Sequence, residues 1–296
     1  MRRKRRTQPK SGPARRSVFR LIFSPLRHRG VWMVLLISLP VLLGLGGAAV
    51  ALTRLDEHVD ARLRADVSRV TFSFVDLPDE MAALARPDLD AAVAPLVARA
   101  WTEASLCRDA AERLASVGWV AKVTSVRRRG GGILEVRCDF RRPVALVEHS
   151  GAFYLVSAKG TRLPGVYLND PPWKVVRGVL AGPPPAGSSW PGPDVFAGLR
   201  LLEVLRGEPY GAQIAAVNVD NYGGRSNPRE SHLRLETDAT GGSIRWGSAV
   251  GEEVEENSVA QKLALLRENF RRTGRAGGGH RLIDVSTYPD RFAIPE

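Results

Sequence analysis

Hydrophobic positions fall along this 296-residue chain in two unlike ways. Near the start there is one unbroken run, Val31 to Leu52, twenty-two residues without a charge. Beyond residue 69 the pattern turns short and periodic. Arg69 to Val75 alternates as a strand does. Leu89, Val93, Leu96, Val97 and Trp101 then recur at helical spacing, with Pro87-Asp88 predicted as the helix start. A second helix, about Ser105 to Val117, gathers Leu106, Ala110, Leu114 and Val117 on one face, with Gly118 read as its stop. Two strands come next, Val120 to about Arg127 and Ile133 to Phe140, joined by a turn at Gly130-Gly131-Gly132. In the second, Leu134, Val136, Cys138 and Phe140 share one face. The order is β-α-α-β-β, a unit that buries its helices on one face of a small sheet and leaves the other face or an edge exposed.

From Pro143 onward, strand-like runs appear at Val144–Glu148, Phe153–Val156, Val175–Val179, Ile214–Val219, Leu233–Glu236 and Ile244–Trp246. Val195, Leu199 and Leu202 line one intervening helix. Val259, Lys262, Leu263, Leu266 and Phe270 mark another, with the Lys262 stem expected to cover the core edge. Gly182 to Pro193 (GPPPAGSSWPGP) is a loop by composition. The chain closes on strand-like Leu282–Val285 and, past a turn at Pro289-Asp290, on Phe292–Ile294. The predicted fold class is α+β: a single N-terminal transmembrane helix, a β-α-α-β-β domain, then a mixed β-rich domain with two or more helices.

Charge changes the picture of the first run. The chain carries 43 Lys and Arg against 31 Asp and Glu, a net +12. Eleven of the basic residues and no acid lie in residues 1–30, so the remainder is close to neutral, and a uniformly basic nucleic-acid-binding domain is excluded. As a helix, Val31–Leu52 extends ~33 Å, enough for a hydrocarbon core of ~30 Å. The positive-inside rule puts the tail in the cytoplasm and residues 53–296 outside it. Ala49-Val50-Ala51 also resembles a signal-peptidase site, but the run exceeds an ordinary signal core and its basic leader is long, which favours a retained anchor. The basic tail reads as a stop against translocation, as an attraction to anionic inner-leaflet lipids, or as a docking peptide for a cytoplasmic protein. The expected layout is a tail at 1–30, a span at 31–52, a stalk at 53–68 and domains at 69–142 and 143–296.

Catalytic patterns are missing. The five histidines, His28, His58, His149, His232 and His280, are scattered without ligand spacing. No GxSxG, Walker loop or Rossmann glycine pattern occurs, and Gly277-Gly278-Gly279-His280 reads as a connector. Two cysteines exclude a multi-Cys metal site; Cys107 and Cys138 are either two buried thiols or one disulfide. Arg127-Arg128-Arg129 reads as a solvated hairpin tip or a partner patch. No catalytic residue, cofactor or metal is predicted, and the expected class is not an enzyme.

Trp119 to Val147, WVAKVTSVRRRGGGILEVRCDFRRPVALV, resembles the end of the POTRA domain in the FtsQ/DivIB family of bacterial cell-division proteins. Phe153 to Pro164 is similar to that family's next hairpin, with Ser157 where Asp is usual. Ile244–Gly247 followed by Gln261-Lys262-Leu263 resembles its strand-Gly and E-K-L helix pattern. Ile283-Asp284-Val285 and Tyr288–Ile294 resemble its ending, with Ser286-Thr287 replacing a single Arg and Arg291 standing where Gly is usual. The resemblance implies a non-enzymatic, single-pass inner-membrane scaffold at the division site, N-terminus cytoplasmic and bulk extracytoplasmic. Its implied partners are the small single-pass coiled-coil proteins of the FtsB (DivIC) and FtsL types, which add to a sheet edge by β-augmentation near the last strand. Carried over, the partner-binding candidates are Tyr288, Arg291, Phe292, Ala293 and Ile294, and the POTRA-like unit is a second docking surface for other division proteins. The alternatives are a POTRA-bearing envelope-assembly or secretion factor, for which no run of barrel strands is present, and a membrane-anchored cell-wall enzyme.

Overall fold

A computed structural model of the chain describes residues 36, 38, 39, 42–44, 46–55, 69–168, 173–237 and 242–287. The chain divides into two compact units, Met1–Ala65 and Asp66–Glu296. In the first, every described residue is helical, and Leu36, Leu39, Leu42, Leu43, Val50, Leu52 and Leu55 are all exposed. Among the described residues no helix is long and apolar enough to cross a membrane. The predicted span, Val31–Leu52, lies partly outside the described residues, and the basic tail and most of the stalk lie wholly outside them.

The second unit is α+β. It opens with β1 (Thr71–Phe74), α1 (Asp79–Val93), α2 (Leu106–Ala115), β2 (Val120–Arg129) and β3 (Ile133–Phe140). The sheet order is β1-β3-β2, with β1 parallel and β2 antiparallel to the central strand. On β3, Leu134, Val136 and Cys138 are buried as the alternation requires, and they pack among Met81, Ala85, Leu89, Leu106, Ala110 and Leu114 of the two helices. Both cysteines are free, Cys138 buried and Cys107 half-buried.

Three sequence readings need correction. The first helix begins at Asp79, not at Pro87, which lies inside it. Met81, Ala85, Leu89 and Val93 recur every four residues and are buried. Asp79 and Glu80 sit favourably in the first turn, where backbone N–H groups point outward. Pro87 is exposed, so the carbonyl that its missing N–H leaves free has access to water. The second helix ends at Ala115, and Gly118 is not its stop. A methyl at Gly118 would lie 3.0 Å from Gly187 N and from the Pro164 ring, so this glycine is a point of close approach to the following sheet. Third, Lys262 is not a stem at the core edge but a fully buried cation.

The remaining strands are β4 (Pro143–His149), β5 (Ala152–Ser157), β6 (Val175–Arg177), β7 (Ile214–Asn218), β8 (Leu233–Thr237), β9 (Ser243–Gly247) and β10 (Leu282–Asp284), with α3 (Pro193–Leu205) and α4 (Val259–Thr273). They form one seven-stranded sheet in the order β10-β9-β8-β7-β6-β4-β5. Its two faces bury different cores. Ala145, Val147, Val176 and Val217 pack with Leu199 and Leu201 of α3 and Leu266 of α4. Leu146, Leu155, Val175 and Ala216, on the opposite face, join the cluster of the three-stranded unit. The expected boundary at 142/143 falls between β3 and β4, and one hydrophobic cluster runs across it. Farther along that second face Arg177 pairs with Glu148 at 2.7 Å and with Glu236, a polar row spanning β4, β6 and β8.

Candidate interaction edge

The seven-stranded sheet ends on β5 at one side and on β10 at the other. Outside β5 the chain returns along the strand: Ser157 N–H donates to Thr161 O, Leu163 to Leu155 O and Tyr167 to Phe153 O, all within 2.9 Å. Beyond that segment lies the Pro/Gly-rich stretch read as a loop. Arg162 N–H donates to Ser188 O, Gly187 to Arg162 O and Trp190 to Gly160 O. Trp190 is buried, its indole donating to Ala181 O at 3.0 Å and meeting Tyr154 edge-on at 5.9 Å. The β5 edge is thus covered twice, which blocks an unpaired edge from pairing with foreign chains.

The β10 edge is described as far as Thr287. β10 pairs in parallel with β9 through Leu282, Ile283 and Asp284, and no strand among the described residues lies on its outer side. Buried polar chemistry fixes the chain just past β10. At the start of α4, Ser258 and Gln261 form a reciprocal capping box, in which Gln261 Oε1 accepts from Ser258 N at 2.8 Å. That start orients Lys262 inward, where its ammonium donates to Glu256 Oε1 at 3.0 Å and lies 5.1 Å from the centre of the Trp246 ring. Burial lowers the Lys262 pKa, and the hydrogen bond and charge of Glu256 oppose that shift. Glu256 also accepts from Ser248 N at 3.0 Å. Gly247, at φ +98°, leaves the room this needs: a side chain there would meet the Glu256 carboxylate and Ser286.

Asn257, beside that ion pair, holds the chain beyond β10. Its side-chain amide donates to Val285 O at 3.0 Å and Thr287 O at 2.8 Å, and its backbone N–H donates to Ser286 O at 2.9 Å. Asp284 Oδ1 accepts from Ser286 N at 2.9 Å and from Ser286 Oγ at 2.6 Å. The chain is therefore tied down through Thr287, the residue before the predicted contact segment. Tyr288, Arg291, Phe292, Ala293 and Ile294, together with the strand expected at Phe292–Ile294, lie outside the described residues.

Sequence reasoning missed Glu256, Asn257 and the buried role of Lys262. The Ser258-x-x-Gln261 pattern carried the signal, because placing the helix start there sets which residues of α4 face inward. Arg128 and Arg129 of the predicted solvated tip are engaged. Arg128 lies over the Trp101 ring and donates to Glu103 O, while Arg129 Nε donates to Glu135 at 2.8 Å. Among the described residues no group of three or more His, Cys, Asp or Glu could hold a metal ion. Comparison with protein-family models and with characterised proteins finds no match to this chain.

Proposed function

We propose that this chain is a non-enzymatic scaffold of the bacterial division machinery, anchored once in the inner membrane and joining partner proteins by edge-strand contacts outside the cytoplasm. The observation that carries the proposal lies at the seven-stranded sheet's edges. A fold that covers β5 with two successive segments leaves β10 without a strand outside it among the described residues. The outward backbone donors and acceptors of an edge strand give affinity for an added strand, and alternate side chains give selectivity. The β-α-α-β-β order of β1 to β3 supports the likeness to a POTRA domain, and Ile244–Gly247, Gln261-Lys262-Leu263 and Ile283-Asp284 belong to β9, α4 and β10.

The membrane anchor rests on two features. An eleven-cation leader precedes an uncharged run, and seven large apolar side chains stand exposed on the described helical residues between Leu36 and Leu55. Such a helix is hydrophobic beyond what one core-facing stripe requires, and a lipid environment suits it. The proposed partners are small single-pass coiled-coil proteins of the FtsB (DivIC) and FtsL types, bound through Tyr288, Arg291, Phe292, Ala293 and Ile294.

Depletion in the bacterium that encodes the chain is expected to give filaments, with a fluorescent fusion concentrated at the division plane. Normal division on depletion would sink the reading. Deleting residues 288–296 should abolish co-purification of the coiled-coil partners while the remaining chain stays folded by circular dichroism. If the partners still co-purify, binding lies elsewhere than at this edge.

A further inference from the structure

A second binding site lies at the opposite end of the fold's logic, where a strand is too short. β6 has three residues and runs between the longer β4 and β7. It pairs with β4 only through Leu146 and Val147 and joins β7 first at Ala216. The last rung is Leu146 N–H donating to Lys174 O at 2.8 Å. Before it, Pro143–Ala145 of β4 and Ile214–Ala215 of β7 continue with no strand between them among the described residues. The notch so formed has a volume of about 510 Å³. That lies within the roughly 300–1,000 Å³ typical of ligand clefts.

Its lining has two chemistries. Trp173, Leu202 and Leu205 make an apolar floor, and Arg142, Lys174 and Arg206 stand around it. The Lys174 ammonium donates to Ala212 O at 2.9 Å. Arg142 and Arg206 are exposed, and no described residue pairs with either guanidinium. A guanidinium offers a carboxylate two parallel N–H donors, and two of them at one notch give an acidic ligand the complementary charge. The walls are strand backbone, which hydrogen-bonds an extended peptide in a way that it cannot bond an acyl chain.

The geometry points to this notch as a docking site for an extended acidic–apolar segment of a partner protein, with apolar side chains on Leu202 and Leu205 at one face of the sheet and on Trp173 at the other, and carboxylates on Arg142 and Arg206. The site is separate from the β10 edge and does not rest on it.

The test uses the full chain in detergent micelles and fluorescein-labelled hexapeptides in which Glu alternates with Leu, Val or Phe, read by fluorescence anisotropy. Saturable binding of at least one is expected, weakened at least tenfold by replacing its Glu with Gln. The Arg142→Glu/Arg206→Glu variant should weaken it by a similar factor with an unchanged thermal midpoint, since both residues are exposed and unpaired. Deleting residues 288–296 should leave the binding intact. Absence of saturable binding by all three peptides, equal binding of the Gln forms, or indifference to the arginine variant overturns the proposal. Complete displacement by decanoate would make the notch a lipid-anion site and overturn the peptide assignment.

Discussion

At the scale of single residues, two of the buried ionisable groups, Lys262 and Cys138, behave oppositely. Lys262 is fully enclosed, its ammonium faces Glu256 and the Trp246 ring, and the charges of Glu253 and Asp284 also favour it. Glu256→Gln keeps an oxygen to accept from Ser248 N but leaves the ammonium uncompensated. The expected cost is about 3–5 kcal/mol in urea unfolding. Adding Lys262→Met should recover most of it, because the buried charge is then gone; no recovery would mean that Glu256 acts through another contact. Cys138 is the neutral case. Burial first, and then the charges of Asp76 and Asp139, push its thiol up from 9.0 to about 11. A folded-state pKa raised above the unfolded one contributes stability that is complete below pH 9 and is lost as pH rises toward 11. Unfolding midpoints of the wild type should therefore fall relative to Cys138→Ala across that window. Parallel pH profiles would show that the thiol is open to solvent.

At the scale of elements, what was legible in the sequence came from period, and what was not depended on partners. β3 was readable to the residue because Leu134, Val136 and Cys138 alternate with charged neighbours. Gly118 looked like a helix stop because a stop and a close approach both call for a residue without a side chain, and only the neighbouring Gly187 and Pro164 separate the two. Pro87 looked like a helix start because its exposure, which makes it tolerable inside α1, is a tertiary fact. The loop at Gly182–Pro193 shows the same limit. It is a loop, as its composition says, yet its backbone bonds the segment that covers β5 and its Trp190 is buried. Trp190→Ala should cost about 3–5 kcal/mol, as large-to-small changes of buried aromatics do. It should also loosen the outer cover of β5, so concentration-dependent association is expected with the lost stability. A destabilised but strictly monomeric variant would show that the cover does not depend on this side chain.

At the scale of the whole molecule, the strands were visible in sequence but their neighbours were not. Nothing in the pattern places β6 between β4 and β7, or sends Leu146, Val175 and Ala216 into the core of the preceding sheet. Alternation says that a strand has two faces; it does not say what covers the second. Here that cover is the three-stranded unit, so the two sheets share a core across the expected boundary at 142/143. Shared burial couples the stabilities of its contributors, because unfolding either sheet exposes apolar surface on both. The wild type is therefore expected to lose far-UV circular dichroism and tryptophan fluorescence in one transition, with Trp101 and Trp119 on one side of the joint and Trp190 and Trp246 on the other. Gly118→Val tests this coupling at its narrowest point. Its added carbons would fall 3.0 Å or less from Gly187 N and Pro164, and overpacking of that kind costs about 1–3 kcal/mol. Because the wedge separates the sheets without emptying either core, the variant should unfold in two resolved steps. A single transition shifted to lower denaturant would mean that the coupling runs through the buried cluster alone and that the glycine contact is incidental to it.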